Sequence, residues 1–182
     1  MKRKTSKEIL AESFREVAER KNIDKITVKD ITDNCGYSPA TFYRQFSDKY
    51  DLIVWDYTRE LDIILSGVDG TWSGWTNTLK SVAAFFEDRK IYLANLFLHT
   101  SGLEAFTTYM QEINYRCLTE IVQKTEGEHP IDKMTEMAIR LYILGTVQFT
   151  SEWILGKWEA TAEELSMVYV QAFPEILRKY MN

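Results

Sequence analysis

Between Thr27 and Lys49 the chain sets two helix starts and one helix stop within 23 residues, and few folds accommodate that spacing. Thr27 precedes Val28, Ile31 and Cys35 at helical intervals and has Asp30 three residues on, an N-cap with a capping-box-like partner. Gly36 stands where a left-handed residue would end that helix. Ser38-Pro39 opens another, with Ser as N-cap and Pro at the first helical position, where its missing N–H costs nothing. Phe42 and Phe46, four apart, share a buried face. Two short helices joined by a glycine-containing turn make a helix-turn-helix. With Val28, Ile31, Cys35, Phe42 and Phe46 turned inward, the outer face of the second helix keeps Ala40, Thr41, Tyr43, Arg44 and Gln45. These are hydroxyls, one guanidinium and one amide, with no acidic group to repel phosphate. Short groups near the helix start can approach base edges, and longer donors can reach the DNA backbone.

The rest of the chain reads as helix. Only 8 Gly and 3 Pro occur in 182 residues, about half the ordinary share of ~12%, so long helices are favoured over many short strands. With 45% hydrophobic residues the chain can build a real core. Leu10, Phe14, Val17 and Ala18 mark an amphipathic helix over 6–21. Asp48, with Asp51 three residues on, starts a fourth helix running to about Leu65. Segment 66–74 is a glycine-bearing break, followed by helical stretches near 75–88, 90–99, 103–125 and 132–155. Gly156 stops the last of these. Thr161 with Glu164 is a capping box for a final helix over 162–180, which Pro174 should kink or interrupt. No stretch alternates with period two long enough to be a strand. The expectation is an all-α protein of about nine helices: a three-helix helix-turn-helix domain at 1–50 and a helical body at 51–182.

Charge supports that division. The whole chain carries −5, yet residues 1–50 hold 11 basic against 8 acidic residues, a net of +3, and residues 51–182 hold 11 against 19, a net of −8. Such asymmetry suits an N-terminal piece that meets a polyanion. Cys35 and Cys117 lie far apart with no CxxC spacing, which argues against a zinc ribbon or disulfide framework and fits a reducing compartment. The basic start Met1-Lys2-Arg3-Lys4 leads into polar residues rather than an apolar signal core, and no 18-residue apolar run occurs. A cytoplasmic, soluble protein is expected. Only His99 and His129 are available as imidazoles, and the chain lacks HExxH, GxSxG and a glycine-rich phosphate loop. Glu163 and Glu164 belong to a helix start, where the dipole stabilises them. No catalytic residues, no cofactor and no metal are expected; the chain does not read as an enzyme.

Ile26-Thr27-Val28-Lys29-Asp30-Ile31, Cys35-Gly36-Tyr37-Ser38, Thr41-Phe42-Tyr43-Arg44-Gln45-Phe46 and Asp48-Lys49 together resemble the DNA-binding domain of the TetR/AcrR family of bacterial regulators. Cys35 and Tyr37 depart mildly from the family's usual Ala before the turn glycine and small apolar residue after it. The resemblance implies that Thr27 and Lys49, at the starts of the second and fourth helices, anchor DNA phosphates, and that Tyr43 contacts phosphate. Ser38, Pro39, Ala40, Thr41 and Arg44 match positions near bases or the adjacent backbone. Thr27 serves equally as a pure N-cap. Lys2, Arg3 and Lys4 form either a loose arm toward the DNA or a solvated terminus.

Leu96 to Phe106, Gly145 to Gly156 and the Thr161–Glu164 cap are similar to the C-terminal domain common in Firmicutes members of the family, the branch that includes a dihydroxyacetone-kinase regulator. Met137, Leu141, Leu144, Val147 and Ile154, with Leu165, Val168, Tyr169 and Phe173, form stripes that would build a homodimer through residues 132–180 as a four-helix bundle, or else fill the subunit's own core. The aromatic residues of 72–158 are core or, with His99, Asn95 or Gln148, the lining of an effector pocket. No effector-binding residue is identified. The function expected is a dimeric, TetR-like repressor that binds a near-palindromic operator on double-stranded DNA and is released by an effector. The alternative is a helical regulator controlled by a protein partner.

Overall fold

Helix starts in this chain are written in short oxygen-bearing side chains. Thr5, Thr27, Ser38, Thr71, Asp132 and Thr161 each accept a hydrogen bond from a first-turn N–H, satisfying donors that a helix otherwise leaves orphaned. Thr5 with Glu8, Thr27 with Asp30 and Thr161 with Glu164 close full capping boxes. A computed structural model describes residues 4–99 and 103–181. It contains ten α-helices: α1 Ser6–Ala18, α2 Val28–Cys35, α3 Pro39–Tyr43, α4 Lys49–Leu65, α5 Trp72–Asp88, α6 Lys90–His99, α7 Leu103–Glu126, α8 Lys133–Ile154, α9 Ala162–Gln171 and α10 Glu175–Arg178. A single 3-10 turn, Ile23–Lys25, separates α1 from α2. The described residues contain no strand, as the scarcity of breakers and the helical periodicity predict. The tenth helix arises at Pro174, which caps α10 after the chain has left α9, so the expected 162–180 helix is two.

Packing divides the chain into two compact units, residues 1–62 with 91–101, and residues 63–90 with 102–182. The first contains more chain than the 1–50 domain expected from charge and motif, because most of α4 and α6 packs with α1 to α3. Its core is Leu10, Phe14, Ala18, Ile23, Ile31, Phe42, Leu52 and Leu93, all almost fully buried, with Phe14 and Tyr92 edge to face at 5.9 Å. In the same core, Arg15 of α1 grips both carboxylate oxygens of buried Asp56 on α4, at 2.6 and 2.7 Å, and reaches Glu60 at 3.2 Å.

The second unit is built on aromatic contacts. Phe173 receives Trp72, Trp75 and Tyr142 at centroid distances of 5.3, 5.6 and 5.3 Å. Trp153 is fully buried, and its indole N–H donates to the Ala160 carbonyl at 2.7 Å. Gly156 takes φ 77° just beyond α8, the left-handed geometry that favours glycine at a helix stop.

The Arg15–Asp56 pair generates a stability prediction. Removing one partner leaves a desolvated charge without compensation. Asp56→Ala should lower unfolding free energy by about 3 kcal/mol, near the low end for such pairs because Glu60 remains; a urea transition of wild type and variant measures it.

Candidate nucleic-acid interface

Gly36 takes φ 72° and ends α2, and the Tyr37 N–H closes the turn on the Thr32 carbonyl at 2.8 Å. Two residues later Ser38 caps α3, its Oγ accepting from the Thr41 N–H at 3.2 Å, and Pro39 occupies the first helical position. Phe42 and Phe46 are buried with rings 5.7 Å apart. Val28 and Cys35 are only half-buried, so Ile31 and Thr32 carry the α2 side of the contact. Thr32 ties its hydroxyl to the Val28 and Lys29 carbonyls of its own helix.

Ser38, Pro39, Ala40, Tyr43 and Arg44 all stand exposed on α3 and at its ends, with Thr41 half-buried among them. Tyr43 is 61% exposed, braced edge to face by Phe42 at 5.6 Å. Arg44 donates to the Thr41 hydroxyl at 3.1 Å, and Thr41 Oγ1 lies 3.1 Å from Ser38 Oγ. No acidic residue occurs from Cys35 to Ser47. The face therefore offers a phenol, a guanidinium and two hydroxyls without nearby carboxylate repulsion, a donor set suited to phosphates and base edges.

Thr27 and Lys49 are placed differently from that group. The Thr27 hydroxyl accepts from the Asp30 N–H at 3.2 Å and donates to Asp30 Oδ2 at 2.7 Å, so capping occupies it. Lys49 turns its ammonium onto three carbonyls, those of Ile23, Asp24 and Ile26, at 2.7, 3.0 and 3.0 Å. Three ammonium protons meet three acceptors, and burial pulls the Lys49 pKa down. The side chain holds the turn ahead of α2, and at the start of α4 it is Asp48 that caps, accepting from the Tyr50 and Asp51 N–H groups.

The same turn is held by a residue that the sequence reading assigned to a possible pocket. Asn95 of α6 accepts from the Ile23 N–H at 3.3 Å and donates to the carbonyls of Ala18 and Lys21. Gln148 is exposed and donates to Glu152 at 3.3 Å. The signal for Asn95 was present: one amide in the apolar run Ile91 to Leu98. Lys4, expected either in a loose arm or in a solvated terminus, is exposed and pairs with Glu12 at 2.6 Å; Lys2 and Arg3 lie outside the described residues, as do Thr100 to Gly102 and the side chain of His99.

The described residues hold no cluster of three or more His, Cys, Asp or Glu that could bind a metal, and no helix among them is long and apolar enough to cross a membrane. Both cysteines are free thiols.

Residues 9–54 match the model of the bacterial regulatory proteins of the tetR family, a segment that spans the turn, α2, α3 and the start of α4. A curated relative, the HTH-type dhaKLM operon transcriptional activator DhaS of Lactococcus lactis, is 21% identical over 101 residues, covering 56% of this chain and 54% of that protein. The aligned part of the chain thus spans about half the length of that relative. Among solved structures, the dihydroxyacetone kinase operon activator DhaS superposes with TM-score 0.71 at 16% identity, over 97% of this chain and 96% of the other. The fatty acid degradation regulator FadR from Bacillus halodurans gives 0.67 at 13% identity, over 95% and 96%. At such identities the likeness is one of fold.

Asp30 connects this interface to pH. Hydrogen bonds from Lys21 and then from Thr27 hold its carboxyl well below the usual range. A carboxylate depressed in the folded state contributes stability that is complete above its unfolded pKa of about 3.9 and is lost as pH falls toward the folded value. Asp30→Asn should therefore be less stable than wild type at neutral pH, and the gap should narrow below about pH 4, read from urea transitions across pH 3 to 7.

Proposed function

We propose that this chain, a transcriptional regulator belonging to the TetR family of bacterial regulatory proteins, works in the cytoplasm as a homodimer that sets two α3 helices into a near-palindromic operator and is switched by an effector. The observation that carries the DNA reading is the acid-free outer face of α3, where exposed Tyr43 and Arg44 stand beside Ser38, Pro39, Ala40 and Thr41. Tyr43 serves a phosphate, and Arg44 a phosphate or a base edge. Thr27 and Lys49 act chiefly through position: the capping box fixes the start of α2, and the Lys49 ammonium fixes the turn before it. No reaction is assigned to the chain; its family and its neighbours are transcriptional regulators.

Dimerisation is supported by the way the apolar stripes divide. Val147, Ile154, Leu165, Tyr169 and Phe173 are buried inside the subunit. Met134, Met137, Leu141 and Leu144 of α8 and Met167 and Val168 of α9 are exposed, Leu141 at 75%. Spacings of three and four put the α8 set on one helix face. Beside it opens an apolar groove of about 460 Å³ that includes Leu141, Gly145, Phe149, Val168 and Pro174. Gly145 is exposed within α8, and a Cβ there would meet nothing within 4 Å. A glycine that costs a helix about 0.5–1 kcal/mol without an internal reason is suited to close approach by another backbone. Two such α8–α9 faces form a four-helix bundle about a twofold axis, which pairs recognition helices at half-sites one turn apart, ~34–36 Å.

The effector acts on the second unit. By sequence α4 runs from one unit into the other, so a shift of that helix changes the separation of the paired α3 helices, and a coupling of about 1–3 kcal/mol suffices. Repression is the commoner outcome expected from the resemblance; the activator named among the relatives favours the opposite sign as a second reading.

Two measurements test the reading. With fragments of genomic DNA that the protein itself selects, Tyr43→Phe should weaken binding nearly equally on all fragments, whereas Arg44→Ala should either do the same or relax preference at one base position by ~1–3 kcal/mol. Wild-type affinity should fall steeply with salt as condensed ions are released; variants that bind like wild type would remove the phosphate assignment. Sedimentation of Leu141→Glu should give a folded monomer where wild type gives a dimer, because a carboxylate in a bundle seam is buried unpaired. A monomeric wild type would remove the paired-site scheme.

A further inference from the structure

Lys7, on the first turn of α1, is held in place without being paired. Its side chain is half-buried, and its ammonium lies over two rings, 5.1 Å from the Phe46 centroid and 5.5 Å from that of Trp55. Ring faces attract a cation, yet they present no lone pair to its three N–H donors. Among the described residues no carboxylate or carbonyl accepts from it. The acids nearest in sequence to Lys7 and to Trp55 are already committed. Glu8 accepts from the Thr5 N–H at 2.6 Å and pairs with Arg59. Glu12 takes Lys4 at 2.6 Å, and Asp51 accepts from the Ser47 N–H and hydroxyl at 3.0 Å. The Arg59 guanidinium shares the Trp55 ring at 5.3 Å, but Glu8 neutralises it. Lys7 is a fixed charge with open donors.

Its place relative to α3 follows from the rings beneath it. Trp55 meets Phe46 at 5.7 Å, Phe46 meets Phe42 at 5.7 Å, and Phe42 braces Tyr43 at 5.6 Å. Phe46 follows the end of α3 by three residues. One row of rings therefore ties the Lys7 ammonium, through two ring contacts, to the exposed Tyr43. The stem of a lysine can lie on apolar surface simply to cover it. Covering needs no charge, however, and a methionine would serve as well.

We propose that Lys7 is a further DNA-contacting residue, donating to a backbone phosphate at the edge of the groove that α3 enters, with Phe46 and Trp55 as the shelf that pre-positions its ammonium. An ammonium already confined loses less freedom when the phosphate arrives, and each phosphate neutralised releases condensed counterions. The assignment rests on the DNA reading above and adds to it a contact from α1, outside α2 and α3.

The test compares the full chain with Lys7→Met and Lys80→Met on a genomic fragment that the wild type selects. Met at position 7 retains the apolar cover and removes the charge; Lys80 is an exposed lysine of α5 in the other unit. The expected result is binding weakened at least about tenfold in Lys7→Met at low salt, with the slope of log affinity against log salt reduced by about one per subunit. Lys80→Met should bind like wild type. Phosphate ethylation should locate the lost contact, one position in each half-site whose modification impairs the wild type and not Lys7→Met. Wild-type affinity and slope in Lys7→Met, or an equal loss in Lys80→Met, would overturn the proposal. So would a weaker Lys7→Met whose slope is unchanged, the mark of a merely structural role. Tyr43→Phe in the same assay keeps the two readings apart. Its loss beside an unaffected Lys7→Met strikes Lys7 alone, whereas a wild type that selects no DNA strikes the reading beneath it.

Discussion

The turn between α1 and α2 holds together the helices of the first unit that place α3. Its carbonyls at Ile23, Asp24 and Ile26 converge on the Lys49 ammonium, and Asn95 fixes its other side through the Ile23 N–H and the Ala18 and Lys21 carbonyls. Ile23, fully buried, anchors it from below. A five-residue helix such as α3 cannot sustain itself on backbone bonds alone. Its direction is inherited from α2 through Gly36, from the Phe42 and Phe46 contacts, and through α2 from this turn. A lysine that points at protein rather than outward therefore serves the interface by placing it.

Charge works at two depths in the first unit. In the Arg15–Asp56 pair a half-buried guanidinium sets one nitrogen against both oxygens of a buried carboxylate, and it joins α1 to α4. Exposed pairs such as Lys29–Asp33 are worth little in water. Around α3, what matters is the carboxylates left out. The acids of α2 are matched locally, Asp30 by Lys21 and Asp33 by Lys29, so the outer α3 face keeps its donors without a strong opposing field. In the second unit, Met137, Leu141 and Leu144 leave an apolar face of α8 exposed.

Local rules were legible because they act over a few residues. Thr27, Gly36, Ser38 and Pro39 announced the helix-turn-helix through capping and left-handed geometry, and Thr161 announced α9 in the same way. Pro174 announced an interruption, which proved complete enough to make two helices. Tertiary pairings were not legible. Nothing near Lys49 in the chain shows that its ammonium meets carbonyls some 25 residues away, and a phosphate partner satisfies the same residue type. Asn95 carried a visible signal, a lone amide in an apolar helix, but not the identity of its partners. The stripes over 137–173 allowed a dimer seam or the subunit's own core, and packing divides them, burying Val147, Ile154 and Phe173 and leaving Met137, Leu141 and Leu144 outside. Periodicity marks a face as apolar without saying whether the cover comes from the same subunit.

The central claim is that α3, placed by that turn and doubled by symmetry, lies in the major groove. Hydroxyl-radical footprinting of the full chain on a genomic fragment that it selects addresses this most directly. The account predicts two protected patches related by a dyad, with centres about 10–10.5 base pairs apart or a multiple of it. A single patch, or uniform cleavage at low salt and saturating protein, would contradict it.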